Sequence, residues 1–459
     1  MYQIDFNDPI HIHFIGIGGI SMSGLAEILL EEGFTVSGSD LRHSALTDML
    51  ESKGVSIFYT QTAANLTGDI DLVVYTAAIR KDNPEFAAIS QKGLPSLTRA
   101  QLLGQIMRNY KMSVAVSGTH GKTTTTSMIS EILLKAEVDP TLSIGGVLRS
   151  IGGNIRVGKS DYFVTEACEY TNSFLSFYPR IGIILNVEED HLDFFKDIHE
   201  IRESFHKFAA LLPRDGVLIV NGEIPALDII TKDLKCRIIT YGKNPSNHYY
   251  YSDLTFDKAA HPSFTLHSGS GDTAAVCLNV PGEHNALNAI AAIALSDVLD
   301  IPRQTALTAL ADYHGTDRRF EYKGEIGGVT IIDDYAHHPT EITATLSAAA
   351  NYPHRRLWCV FQPHTYTRTK AFLPEFARAL SLADKIVLAD IYAAREKDTL
   401  GISSRTLQEE IRKSGKECFY FPSFDEIENF LLENCINGDL LITMGAGDVV
   451  KIGENLLGT

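Results

Sequence analysis

No apolar run in the sequence approaches the ~20 residues that span a bilayer. A membrane partner is therefore not expected. Positive charge is also short: 40 basic against 57 acidic side chains leave a formal net charge of −17. A broad nucleic-acid footprint needs a basic face, so that class is excluded too. A local loop can still hold an anionic nucleotide. Cysteine is sparse and scattered, at Cys168, Cys236, Cys277, Cys359, Cys418 and Cys435, with no Cys-x-x-Cys pair. This spacing argues against a disulfide frame or a zinc site and fits reduced thiols in a cytoplasmic protein. Between Met1 and Pro9 stand Asp5 and Asp8, with no basic residue ahead of an apolar stretch, so no secretory signal is expected. Serine and cysteine nucleophile motifs, a kinase catalytic-loop signature, internal repeats and low-complexity tracts are missing as well. The 44% hydrophobic and 21% charged content is that of an ordinary globular protein. At 459 residues the chain exceeds one core and calls for about three domains.

What is present centres on Val116-Ser117-Gly118-Thr119-His120-Gly121-Lys122-Thr123-Thr124. An apolar run, Met112 to Val116, precedes it, and a helical pattern, Thr124 to Leu134, follows. Strand, glycine turn, Lys-Thr, helix is the layout of a phosphate-binding loop. The glycines let N–H groups close on phosphate oxygens, the helix start adds partial positive charge, the Lys a full one, and the Thr hydroxyl can ligate magnesium. The usual first Gly of that pattern is replaced by Val116, so the loop is a variant. A glycine turn with a chance Lys-Thr is the plainer alternative, and the flanking strand and helix weigh against it.

A second glycine turn lies near the N-terminus. The strand candidate His11 to Ile15 runs into Gly16-Ile17-Gly18-Gly19, a helix fits Ser21 to Glu32, and a second strand, Phe34 to Ser37, closes on Gly38-Ser39-Asp40. This βαβ unit, with an acid about twenty residues past the glycines, approaches a dinucleotide fingerprint. Ser21 falls where its third glycine belongs, so the signal is for a pyrophosphate and only weakly for nicotinamide. The alternation continues with a strand, Asp71 to Tyr75, the link Thr76 to Ile79, a helix start at Asp82-Asn83-Pro84-Glu85, and a helix Arg99 to Tyr110. Beyond the central loop, Asp161 to Thr165 is a strand closing on Glu166, where a magnesium-holding carboxylate is expected. Ile181 to Val187 is a strand ending at Glu188-Glu189-Asp190-His191, and Ile198 to Leu212 has helical spacing. Tyr241 to Val280 reads as an antiparallel appendage, and Pro281 to Asn288 opens an alanine-rich helix reaching about Val298. Its first-turn polar side chains either meet a base or cap the helix. Arg318-Arg319 reads as a solvated basic pair or a site cluster. A further α/β alternation follows, its strands Val329 to Ile332, Leu357 to Phe361, Lys385 to Ala389 and Leu440 to Thr443 ending in polar loops. Alternation of this kind implies mostly parallel sheets. Domain limits are expected near 1–110, 111–315 and 316–459.

Taken together, Gly16 to Gly24, Ser37 to Asp40, Asp82 to Glu85, Gly118 to Thr124, Asp190-His191, His284-Asn285 with Asn288, Asp334-Tyr335 with His337-His338-Pro339, and Gln362-Pro363-His364 resemble the Mur ligases over the whole chain. Within them the pattern is similar to the branch that joins L-alanine to UDP-N-acetylmuramate. The resemblance implies an α/β chain of three domains: a Rossmann-like N-terminal domain for the UDP-sugar, a central P-loop ATPase-type domain, and a Rossmann-like C-terminal domain. It implies ATP and Mg2+ (or Mn2+) and an acyl-phosphate intermediate in peptidoglycan precursor synthesis. Gly16, Gly18, Gly19 and Asp40 would sit at the UDP end, with Asn172 and Ser173 near the sugar. Gly118, Thr119, His120, Gly121, Lys122, Thr123 and Thr124 would hold the phosphates, with Asn285 and Asn288 at the adenine and Asp334 at the ribose. Thr123 and Glu166 would hold one metal, and Glu166 with His191 a second. Lys122, His191, Arg319 and His337 would be catalytic, and Tyr335, His337 and Arg368 would shape the L-alanine site. A monomer or weak homodimer is expected. Two departures stand out: Cys168 where the family often has Asp, and Thr365 where it often has Arg, with Lys370 as a stand-in. Rival readings are a ligase adding a tripeptide to the same sugar nucleotide, an NAD(P)-dependent oxidoreductase, and a non-catalytic scaffold.

Overall fold

The computed structural model describes residues 2–76, 79–394 and 396–459; Ala77 and Ala78 of the Thr76 to Ile79 link lie outside them. Among the described residues the strands form three sheets of five, ten and six strands. The first holds β1 (His11–Ile15), β2 (Thr35–Ser39), β3 (Ser56–Phe58), β4 (Leu72–Tyr75) and β5 (Ser96–Thr98), in the order 3-2-1-4-5. Every pairing in it is parallel, so both faces are covered and the central strands are apolar. One polar group interrupts this interior. The buried His13 sits 2.8 Å from Ser37 Oγ and 2.9 Å from Glu85 Oε1. Glu85 also accepts from Ser39 and Asn65. The Asp82 to Glu85 segment thereby gains a local explanation. Asn83 caps the helix Pro84–Lys92, Pro84 occupies its first turn, and Glu85 satisfies the buried polar groups of the sheet.

The central sheet contains β6 (Met112–Ser117), β7 (Thr141–Leu148), β8 (Gly153–Arg156), β9 (Tyr162–Ala167), β10 (Ile181–Ile184), β11 (Val217–Asn221), β12 (Arg237–Gly242), β13 (Tyr249–Phe256), β14 (Pro262–Ser268) and β15 (Thr273–Cys277). Strand β6, which feeds the phosphate loop, lies between β10 and β9. The helix Lys122–Lys135 packs on the helix Glu283–Val298. Ala286, Ala289, Ala291, Ala292 and Ala294 of the latter are all buried, and such small side chains let helices approach closely. The expected appendage from Tyr241 to Val280 is antiparallel but not separate. Strand β13 joins β12 in parallel at Tyr241–Tyr249 and Gly242–Tyr250, so the hairpins extend the central sheet. Strand β10 is shorter than expected and stops at Ile184, because Leu185 and Asn186 turn to meet the phosphate loop, Leu185 N–H donating to Ser117 O at 3.0 Å.

The third sheet runs β16-β17-β21-β18-β19-β20, comprising Glu321–Ile326, Val329–Asp334, Leu440–Met444, Leu357–Phe361, Lys385–Leu388 and Cys418–Tyr420 in that order. Only β16 is antiparallel. The link from the central sheet is fastened on both sides of Asp317. Thr316 donates to Ser127 Oγ at 2.9 Å, and Asp317 N–H to Val147 O at 3.3 Å. Arg318 Nε pairs with the buried Asp333 at 3.0 Å, and Phe320 N–H donates to Asp334 at 2.8 Å. Arg318 and Phe320 both take left-handed backbone, at φ of 63° and 50°. The solvated-pair reading of Arg318-Arg319 is thus corrected: Arg318 is an anchor on a buried carboxylate.

Candidate functional site

The phosphate loop leaves β6, and the helix Lys122–Lys135 begins directly behind it. Gly121 has φ of 83°, and an added Cβ would meet Asn288 Oδ1 at 2.8 Å, so both backbone and space require glycine there. Asn186 clasps the loop. It accepts from His120 N–H at 2.7 Å and donates to His120 O at 3.0 Å, while its carbonyl accepts from Thr119 N–H at 3.2 Å. Thr119 Oγ1 in turn accepts from Glu188 N–H at 2.9 Å. Lys122 Nζ donates to the Gly118 and Thr119 carbonyls and pairs with Glu169 at 3.0 Å. Burial alone would lower the Lys122 pKa, but the Glu169 carboxylate outweighs it and keeps the ammonium charged.

Oxygen donors gather beside this lysine. Thr123 Oγ1 lies 3.1 Å from Glu166 Oε2, and Glu166 Oε1 accepts from Gly145 N–H at 2.5 Å. Arg319 reaches Thr123 Oγ1 at 3.4 Å, and its guanidinium lies 5.1 Å from the centre of the Tyr335 ring. His191, at φ of 52°, stacks on Tyr170 and places Nε2 3.7 Å from Asp190 and 3.9 Å from Glu169. Glu169, which the sequence did not single out, thus joins Asp190 as a carboxylate near His191. It is buried, and its Oε1 lacks a hydrogen-bond partner. Cys168 does not replace an acid, because burial pushes its thiol up to about 11 and keeps it neutral.

A cavity of about 170 Å³ lies between the loop and the third sheet, lined by Thr124, Asn285, Asn288, Arg319 and Asp334 among others. Asn285 donates to Pro281 O at 2.8 Å and accepts from Asn288 at 3.0 Å. Both side chains line this cavity. Asp334 accepts from Ala336 and Phe320 N–H groups at 2.7 and 2.8 Å, and burial raises its carboxyl to about 6.

A larger cleft of about 940 Å³ takes walls from all three sheets' domains, including Ser21 and Arg99, Asn172 and His191, and Arg368. Of the first glycine turn only Gly19 lines it, with Ile20, Ser21 and Met22. Gly16 N–H and Ile17 N–H donate to Ser39 O at 2.8 and 3.0 Å, and Gly18 N–H to Asp40 at 2.8 Å. Gly16, Gly18 and Asp40, expected at the UDP end, are thus engaged with one another and with Ser39. They brace the turn, and the start of the helix Ile20–Glu31 faces the cleft. The cation there is Arg99, which sequence reading passed over as a mere helix start. It donates to Ser21 Oγ at 3.0 Å. Asn172 and Ser173 line the same cleft, Asn172 accepting from Ser204 and Ser173 donating to Cys168 O. Arg368 is not a free cation, since Nη2 and Nε pair with the buried Asp190 at 2.8 and 3.1 Å. Thr365 accepts from Arg368 N–H and so caps the short helix that carries it. Lys370 is exposed and donates to Leu400 O. His337 Nδ1 lies 3.0 Å from Tyr335 O, and burial lowers its pKa to about 3, so the ring is neutral.

The comparisons with known proteins divide the chain as the sheets do. The family descriptions "Mur ligase family, catalytic domain", "Mur ligase middle domain" and "Mur ligase, glutamate ligase domain" match residues 11–111, 116–296 and 318–447. The chain is a Mur ligase. A relative from Agathobacter rectalis, named UDP-N-acetylmuramate–L-alanine ligase, is 62% identical over the full length of both chains. The crystal structure of a UDP-N-acetylmuramate–alanine ligase from Thermotoga maritima is similar with a TM-score of 0.80 at 28% identity, covering 98% of each chain. A murein peptide ligase from Psychrobacter arcticus is similar with a TM-score of 0.71 at the same 28% identity and coverage of 98% of both chains. Of the residues expected at the site, the loop, Glu166 and Arg319 lie together around Thr123, and His191 stands beside Asp190 and Glu169. Asn186, Glu169 and Arg99, which brace the loop or line the cleft, were not among the expected residues; their only local signal was polarity at or just beyond a strand end.

Proposed function

We propose that this Mur ligase joins L-alanine to the lactyl carboxylate of UDP-N-acetylmuramate, with hydrolysis of ATP to ADP and phosphate. The 62% identity to a relative of that name over the entire chain carries the reading, and the placement of Lys122, Thr123, Glu166 and Arg319 around one loop supports it. ATP lies with its phosphates on Gly118 to Thr124, its ribose at Asp334 and its base near Asn285 and Asn288. The sugar nucleotide occupies the large cleft, its diphosphate at the start of the helix Ile20–Glu31 beside Arg99 and its sugar near Asn172 and Ser173. In the first step a lactyl carboxylate oxygen attacks the γ-phosphorus, the bond to the β-phosphate oxygen breaks, and an acyl phosphate and ADP form. In the second the L-alanine amine attacks the acyl carbon, and phosphate leaves with its bonding electrons. Lys122 and Arg319 answer the charge that spreads over the transferring phosphoryl group, and their fixed placement avoids reorganisation at the moment of transfer.

The hydroxyl of Thr123 and the carboxylate of Glu166 are hard oxygen donors of the kind that suits Mg2+, and the unpartnered Oε1 of Glu169 adds a third. Bound there, the ion would neutralise phosphate charge. L-alanine belongs beside Tyr335 and His337, with Arg368 near its carboxylate. His337 stays neutral and cannot repel the incoming ammonium. The domain limits 1–110, 111–315 and 316–459, a cytoplasmic location and a monomer or weak homodimer belong to the same reading. The deciding experiment is ADP release with UDP-N-acetylmuramate against a panel of amino acids and peptides. L-alanine is expected to lead; preference for a tripeptide would assign the chain to the recycling activity instead.

A further inference from the structure

Glu341 lines the cavity between the loop and the third sheet, and no role has yet been given to it. It is the third residue of the helix Pro339–Ala350, where its Oε2 accepts from the N–H groups of His337 and His338 at 3.1 and 3.3 Å. A helix cap needs no more than that, and caps are ordinarily at the surface. This carboxylate is instead mostly enclosed, with 14% side-chain exposure, and burying a charge is unfavourable without compensation. The compensating charge comes from the central domain, through His120. Oε1 lies 3.2 Å from Nδ1 of His120 in the phosphate loop, and Oε2 lies 3.3 Å from Nδ1 of His337. His120 has a second carboxylate, Glu188, 3.6 Å from its Nε2; that separation exceeds a hydrogen bond, so the attraction is Coulombic. Thr340, next to Glu341, donates to Glu188 at 2.6 Å, and His338 Nε2 sits 3.0 Å from Glu189 O. Burial alone would lower the His120 pKa, but the Glu341 and Glu188 carboxylates raise it to about 9 and make the ring a cation.

We propose that Glu341 is a positioning residue that ties the phosphate loop to the amine pocket, its one carboxylate being shared by His120 and His337. The inference rests on the reading above, with ATP on the loop and L-alanine beside His337. His120 is clamped to Asn186 through both its backbone groups, so its ring reports the position of the loop. His337 hydrogen-bonds Tyr335 and reports the position of the amine pocket. A displacement of Glu341 therefore disturbs both sites, and filling either one favours the placement that suits the other. Such coupling is reciprocal between the two ligands.

The test uses Glu341→Gln, because glutamine also serves at the third position of a capping box and leaves the helix start intact. The KM values for ATP and L-alanine are each expected to rise about tenfold, the scale of one hydrogen bond to a charged group, with the UDP-N-acetylmuramate KM unchanged. In the double variant with His120→Asn, the ATP KM should be no higher than in His120→Asn alone. Should Glu341→Gln not fold, His120→Asn reads the link from the other side. It must raise the KM for L-alanine as well as that for ATP. Unchanged KM values for ATP and L-alanine in Glu341→Gln, multiplying effects in the double variant, or a normal L-alanine KM in His120→Asn would each overturn the proposal. Wild-type ADP release that depends on L-alanine tests the underlying reading separately: if it is absent the reading fails, and if it is present a normal Glu341→Gln sinks only the role of this carboxylate.

Discussion

After β1 the chain turns through Gly16 to Gly19 into the helix Ile20–Glu31; after β6 it turns through Gly118 to Gly121 into the helix Lys122–Lys135. The two turns share the order strand, glycines, helix, and they treat charge differently. In the first, the amides of Gly16, Ile17 and Gly18 are already engaged by Ser39 and Asp40. The turn itself carries no cation, and Arg99 arrives from a helix some eighty residues later in the chain. In the second, the cation is part of the turn, and a buried carboxylate, Glu169, holds it in place. A glycine turn is thus only a frame. On the function proposed above, where its positive charge comes from separates a turn that seats a diphosphate from one that can stabilise a phosphoryl group in flight.

The largest effect expected of this contrast is on turnover. Lys122→Ala should slow ADP release by about 10³-fold or more, while calorimetry should find UDP-N-acetylmuramate binding nearly unchanged. A variant with wild-type turnover would erase the distinction between the turns. Next comes the pair that fixes the lysine. Removing one member of a buried ion pair typically costs about 3 kcal/mol, so Glu169→Ala should lower stability to denaturant by that order, and added ATP should restore part of it. Equal stability of variant and wild type would mean that Glu169 does not hold Lys122. For the first turn, Arg99→Ala is expected to raise the KM for UDP-N-acetylmuramate by about 10- to 100-fold with little change in kcat. An unaffected KM would show that backbone and helix start suffice. The smallest effect concerns pH. The Glu341 and Glu188 carboxylates raise the His120 pKa from its ordinary 6.5 to about 9. Its stabilising contribution is therefore complete below pH 6.5 and lost as pH rises through about 9. Thermal denaturation should show Tm falling by about 2–4 °C across that window, and His120→Asn should remove that part of the slope.

The parts of this molecule that were legible in the sequence are those where local pattern and tertiary role coincide. Strands β6, β9, β17 and β18 are apolar because neighbours cover them, and each ends in polar residues because the strand ends face a ligand site. Lys122, Thr123 and Glu166 follow directly from that rule. Asn186 did not, because the apolar pattern of Ile181 to Val187 continues past the last ladder hydrogen bond, and only the nearby loop shows why the strand stops at Ile184. Arg99 looked like any first residue of a helix, since its partner Ser21 lies far away in the sequence. Tyr241 to Val280 reads as an antiparallel appendage because it is polar with short strand-like runs and no helix signal; the two residue pairs that fuse β13 to β12 carry no composition of their own. Gly16 and Gly18 matched a motif, yet motif spacing does not tell whether an amide faces a ligand or its own neighbouring strand.

The fastening of the link on either side of Asp317 has one more consequence. Thr316 is tied to the helix Lys122–Lys135 through Ser127, whereas Arg318 and Phe320 are pinned to the end of β17. Arg319 stands just beyond that pivot, so it travels as a passenger of the C-terminal domain. Any swing of that domain away from the loop withdraws the guanidinium from Thr123, and any swing back returns it. On the function proposed above, the trigger is carried by the door, and the chemistry is armed only when the door is shut.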